Sequence, residues 1–262
     1  MTFGSAIQVM GWGYARMQLA EFAGLRRSLP AWAVEGTPGH FFKHADEQSM
    51  LAAQAVDDAI QRHGFDPKSL AKFGVLAAPR FLGRAAGEAV IRRYRRDGAQ
   101  GVTPHIISQH SLHSVSGAIS VLLGCQGPNV GVGGGPHVLD DAFVTLLTMF
   151  GQLDIPGVLL VGTGWDPEPI IDQTGNCTNE PECFAFALIA QPAGQERCGS
   201  LQLRTESSAA TTHPEITTPQ LVRQLQAADV KRQPLQLTWN LNWGAAIEVE
   251  LAQPAQSLVR AA

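Results

Sequence analysis

Apolar and polar positions fall into blocks that read alternately as strands and helices. Ala6 to Gly13 (AIQVMGWG) is an apolar run ending in glycines, the pattern of a buried strand. Met50, Leu51, Ala55, Ala59 and Ile60 recur at helical spacing, and Gly64 supplies the usual C-terminal stop. Lys72 to Ala78 (KFGVLAA) is a second apolar strand, and Gly87 to Arg96 a helix. Ser111 to Leu123 is a helix apolar on most sides and therefore buried. Its small residues Ser114, Ser116, Gly117, Ala118 and Ser120 admit a close neighbour or a ligand. Gly157 to Gly164 (GVLLVGTG) is a clean buried strand. Glu182 to Ala190 and Gly199 to Arg204 lie too close together for a helix between them, so they are expected to pair antiparallel. Residues 205–234 are polar and read as a surface excursion with at most one helix, near Pro219 to Ala228. Leu235 to Leu251 returns as strand. Strands alternating with helices predict a layered α/β fold with a mostly parallel sheet, in a single domain spanning 1–262.

The chain is organised around Gly124 to Leu147 (GCQGPNVGVGGGPHVLDDAFVTLL), which reads as a short strand, a glycine-rich elbow and an amphipathic helix. Gly133, Gly134 and Gly135 free the backbone for a tight turn. Pro136 suits a first helical turn, and Val138, Ala142, Val144, Leu146 and Leu147 supply a buried face. Such an elbow presents one reactive group at a helix N-terminus, where free N–H groups favour developing negative charge. Here it presents Pro136 and His137, neither Cys nor Ser.

Hydrophobic residues make up 45% of the 262 positions and charged residues 16%, enough for a sizeable core. The net charge of −4 argues against a nucleic-acid binder. The basic cluster Arg92, Arg93, Arg95 and Arg96 reads as a solvated helix face, with a docking patch for an acidic partner as the alternative. Cys125, Cys177, Cys183 and Cys198 form no CxxC pair and no zinc spacing. They are expected to be reduced thiols in a cytoplasmic protein without a signal peptide. No apolar run is long enough for a membrane span.

The ordered set of elements resembles the N-terminal half of the β-ketoacyl synthases, of the thiolase-like superfamily. Ala6 to Gly13 is similar to that family's opening strand, Ala45 to Asp66 to its first long helix, and Phe73-Gly74-Val75 to its next strand. Val115 to Gly117, Gly124 and Gly127-Pro128 resemble the helix and the Gly-Pro before the nucleophile strand, and Val158 to Gly162 the strand after the nucleophile helix. The resemblance spans residues 5–205. It implies a thiolase-like layered fold: one half of the duplicated family fold, with a mostly parallel five-stranded sheet, plus residual C-terminal strands.

Counted from Gly127-Pro128, the position of the family's catalytic Cys falls on Pro136. No His-Gly-Thr motif exists, and Asn240-Leu241-Asn242-Trp243-Gly244, similar to a remnant of the second catalytic loop, holds no His. Condensation needs a thiolate and neighbouring imidazoles, so no condensing activity is expected from the chain alone. The resemblance implies a chain-length-factor-like subunit without cofactor. It would pair as a heterodimer with an active ketosynthase and meet the acyl carrier protein through that partner. Asn129, Val130, Gly131, Val132 and Gly133 would form the strand that pairs across the dimer. His113, Ser114 and Gly117, with His137, would line the acyl path. The products would be polyketide, aryl polyene or fatty acyl chains.

Other readings remain open. His137, with Asp140 and Asp141 one turn on, suits a small acyl-thioester hydrolase or acyltransferase; alternatively the two carboxylates complement the helix dipole. A ligand-binding protein on the same scaffold is the third reading. His105, His110 and His113 cluster, but no carboxylate or Cys at useful spacing completes a metal site. Gly131 to Gly135 fail the GxGxxG dinucleotide pattern at Pro136. Trp239, Trp243, Phe184 and Phe186 read as core or interface aromatics.

Overall fold

The computed structural model describes residues 7–104, 110–174, 176–192, 199–205, 216–241 and 245–253. The strands are β1 (Ile7–Gln18), β2 (Gly74–Pro79), β3 (Asn129–Gly131), β4 (Val158–Asp166), β5 (Glu182–Pro192), β6 (Gly199–Thr205), β7 (Leu235–Asn240) and β8 (Ala245–Leu251). The helices are α1 (Phe22–Leu25), α2 (Glu47–His63), α3 (Arg84–Asp97), α4 (His113–Leu123), α5 (Val138–Gln152) and α6 (Thr218–Lys231). The strands form one sheet in the order β3-β2-β4-β5-β1-β6-β8-β7.

Layering follows from the alternation of side chains along the buried strands. Val75 and Ala77 of β2 face one core with Met50, Val56 and Ile60 of α2 and Val115, Ile119 and Leu122 of α4. Leu76 and Ala78 face the other with Phe143 and Leu146 of α5 and Leu221, Val222 and Leu225 of α6. The layered α/β expectation holds, as does a five-stranded block, β3-β2-β4-β5-β1, extended by further C-terminal strands.

The mostly parallel expectation does not hold. Only β2–β3 and β2–β4 pair in parallel, against five antiparallel pairings. Parallel neighbours need a crossover long enough to reverse the chain, usually a helix. The crossovers from β2 to β3 and from β3 to β4 carry helices, whereas the β4–β5 link carries none among its described residues. Nor do β5 and β6 pair with each other. Both pair antiparallel with β1, one on each side, so β1 separates them. The helix expected near Pro219 to Ala228 is α6, and it does not ride on a surface excursion: Leu221, Val222 and Leu225 are buried. Residues 206–215 of that stretch lie outside the described residues.

α2 has both of its expected ends. The Asp46 carboxylate accepts from Gln48 N–H at the N-terminus, and Gly64 closes the helix with φ 67°.

Candidate functional site

The elbow forms where the sequence places it. β3 lies at the sheet edge beside β2, held by Val75 N–H to Pro128 C=O (2.8 Å) and Val132 N–H to Ala77 C=O (2.9 Å). Gly133 and Gly134 then take φ 77° and 102°, the left-handed region that side chains resist. Phe81 N–H donates to Gly134 C=O at 3.1 Å, fixing the elbow against the end of β2. His137 stands at the N-cap of α5, and its C=O accepts from Asp141 N–H at 3.3 Å. Pro136 and His137 are exposed, whereas Val138 and Leu139 turn inward. The elbow thus offers neither thiol nor hydroxyl at the position where the expected nucleophile belongs.

Cys125 does not replace it. It lies before β3, its thiol donates to Leu70 C=O at 3.4 Å, and burial pushes its pKa up to about 11. Cys183 is fully buried in β5, and burial likewise raises its thiol pKa. Cys198 lies outside the described residues.

His113, Ser114 and Gly117 do come together. With Phe41, Ser49 and Val121 they line a groove of about 290 Å³ on the outer face of α4. Ser114 is 8% exposed and its hydroxyl accepts from Ser111 N–H at 2.9 Å. Val121 is 53% exposed and Leu112 37%, so α4 is not wrapped by core on all sides as its composition suggested. His137 does not line this groove. Gly131 passes so close to the start of α4 that a Cβ there would meet Leu112 C=O at 2.2 Å. The far side of β3 carries no strand among the described residues. Asn129 and Gly133 are exposed, and Val130, Gly131 and Val132 half-buried.

The histidine cluster disperses. His110 Nδ1 lies 3.2 Å from Asp46 Oδ2, His113 sits on the groove, and His105 lies outside the described residues. No group of three or more His, Cys, Asp or Glu among the described residues can hold a metal. The arginine cluster lies on α3. Arg92 binds Glu88 and the carbonyls of Ile171 and Asp172, and Arg96 pairs with Asp97 at 2.8 Å. Phe184 and Phe186 are core residues. The side chain of Trp239, and Asn242, Trp243 and Gly244 altogether, lie outside what is described.

Two features were missed from sequence. One is a cavity of about 430 Å³ beside the N-terminus of α2, lined by charged residues from segments far apart in the chain. The other is the anchorage of Arg62, which pairs with Asp58 (3.1 Å) and Asp229 (2.8 Å) and stacks on Trp12. Only the i,i+4 spacing of Asp58 and Arg62 was available as a signal.

The family described as beta-ketoacyl synthase, N-terminal domain, matches residues 34–134. No curated protein matches the sequence significantly. A chain of the ketosynthase (ApeO) in complex with its chain length factor (ApeC) from Xenorhabdus doucetiae superposes with a TM-score of 0.55 at 15% identity. That match covers 94% of this chain and 99% of that one. A chain of the ishigamide ketosynthase/chain length factor gives 0.54 at 13% identity over 96% and 100%. A chain of AntDE:AntF, a type II polyketide acyl-carrier protein in complex with its ketosynthase, gives 0.54 at 10% identity over 95% and 99%. At such identities the likeness establishes the fold alone: the chain folds as these ketosynthase and chain-length-factor chains do. No helix among the described residues is long and apolar enough to cross a membrane.

Proposed function

We propose that this ketosynthase-like chain is a non-catalytic subunit of the chain-length-factor type, working in the cytoplasm beside an active ketosynthase that assembles a polyketide, aryl polyene or fatty acyl chain. The observation that carries the reading is Pro136, exposed at an otherwise intact elbow where the reaction needs a thiol. Losing a nucleophile that acts as part of a unit costs on the order of 10⁶ in rate. Proline offers no substitute and lacks even the backbone N–H.

A subunit of this kind contributes surface and shape. The open edge of β3, from Asn129 to Gly133, would pair with the partner's corresponding strand. The groove along His113, Ser114 and Gly117 would border the path of the growing chain, so that bulk there limits its length. The carrier protein would deliver acyl units to the partner's thiol. Solved chains of similar extent whose structures are described as ketosynthase with chain length factor support this reading.

The test is condensation by the ketosynthase that co-purifies with the chain, with and without this chain, and with the variant His137→Ala. The proposal expects condensation only with the chain present and no change in His137→Ala. Thioester turnover by the chain alone, lost in His137→Ala, would overturn it in favour of a hydrolase or acyltransferase.

A further inference from the structure

A cavity of about 430 Å³ adjoins the groove on α4 at Ala45 and meets the elbow through Phe81. Its walls come from the segment before α2 (Lys43, Asp46), the turn after β2 (Phe81, Arg84), His110, and the end of β4 and the chain beyond it (Trp165, Glu168). Most charges around it are already matched. Arg26 pairs with Glu47, and His110 with Asp46. Three groups are not used in this way. Lys43 and Arg84 are exposed and make no ion pair among the described residues; Arg84 stacks on the Phe81 ring, at 5.5 Å, and acts on Glu168 through its charge alone. Both oxygens of Glu168 are buried without a hydrogen-bond partner.

A buried carboxylate without donors is costly, and native structures rarely leave one so. Burial holds the Glu168 carboxyl above the ordinary range, against the pull of Arg80 and Arg84. The backbone on another wall of the cavity is also unusual. Phe81 has φ 51°, a conformation that bulky residues avoid and that gathers at ligand clamps. The remaining wall includes the flat apolar surface of Trp165, which is 5% exposed.

We propose that this cavity binds a small organic acid that also carries a hydroxyl or ammonium group. Its carboxylate meets Arg84 and Lys43, its carbon chain lies against Trp165 and Phe81, and its far-end donor reaches Glu168. A side-chain rotation, common on ligand binding, turns Glu168 into the cavity. The volume suits a small ligand and the few convergent polar groups give it orientation. The inference stands whether or not the chain pairs with a ketosynthase.

The experiment is calorimetric titration of the purified full chain with butyrate, γ-hydroxybutyrate and γ-aminobutyrate. These acids share a carboxylate and a four-carbon chain and differ only at the far end, which is a methyl, a hydroxyl or an ammonium group. At least one donor-bearing acid is expected to bind roughly tenfold tighter than butyrate. That preference should vanish in Glu168→Ala and persist weakly in Glu168→Gln, while Arg84→Ala weakens all three acids alike. The wild-type comparison decides without any variant: no binding, or equal binding of the three acids, overturns the proposal. So does a preference that survives in folded Glu168→Ala.

Discussion

Asn129 Nδ2 lies 4.0 Å from the point where a side chain on Gly117 would begin. The groove of α4 and the open strand β3 therefore meet at one spot. Nothing crowds Gly117 more closely, so a larger residue there fits outward without displacing the core. Gly117→Leu should leave the fold intact, since leucine also favours the helix by about 1 kcal/mol over glycine. In a complex with its ketosynthase it should shorten the product, read by mass spectrometry. An unchanged product length would remove the groove from the acyl path.

The hydrogen bonds of β3 give its outer edge a testable polarity. Pro128 C=O and Val132 N–H point to β2. Successive residues of a strand alternate in direction, so Asn129 and Gly131 direct their backbone groups outward. Asn129→Pro removes one outward donor and no inward one. The melting temperature should shift by only a few degrees, while native mass spectrometry should show loss of the heterodimer. Retention of the heterodimer would place the interface elsewhere.

Thiol chemistry should ignore two cysteines. At neutral pH a thiol with a pKa of about 11 is ionised to roughly one part in 10⁴. Iodoacetamide applied to the folded chain should leave Cys125 and Cys183 unmodified, and in denaturant both should react. Rapid labelling of Cys125 in the native state would reopen it as a nucleophile.

His63 makes stability depend on pH. Burial, with Arg62 beside it, lowers its pKa from 6.5 to about 4. The folded state then binds fewer protons than the unfolded chain within that window, so stability is full above pH 6.5 and falls as pH drops toward 4. Discounted for a partly solvated ring, the loss is about 1–2 kcal/mol. Urea unfolding across this window should show the slope in the wild type and a flatter one in His63→Gln. Equal slopes would mean that other groups set the acid limit.

Local pattern carried much of this fold. The helical spacing of Met50, Ala55 and Ala59, the Gly64 stop and the glycines before α5 are all short-range signals, and each element formed where they stood. Pairing partners were a different matter. That β1 lies between β5 and β6 depends on contacts between residues more than 160 positions apart, such as Ile7 opposite Pro192, which no local spacing encodes. The site divides the same way. His113, Ser114 and Gly117 share one helix face and were legible together. The Lys43, Arg84 and Glu168 cavity joins distant segments, and no local spacing links its charges.

The measurement closest to the central claim is recovery of the tagged chain from its native host, with the masses and stoichiometry of whatever accompanies it. The account predicts a larger protein with an intact cysteine elbow, recovered near one-to-one. A chain that returns alone, or only as a pair of identical copies, would contradict it.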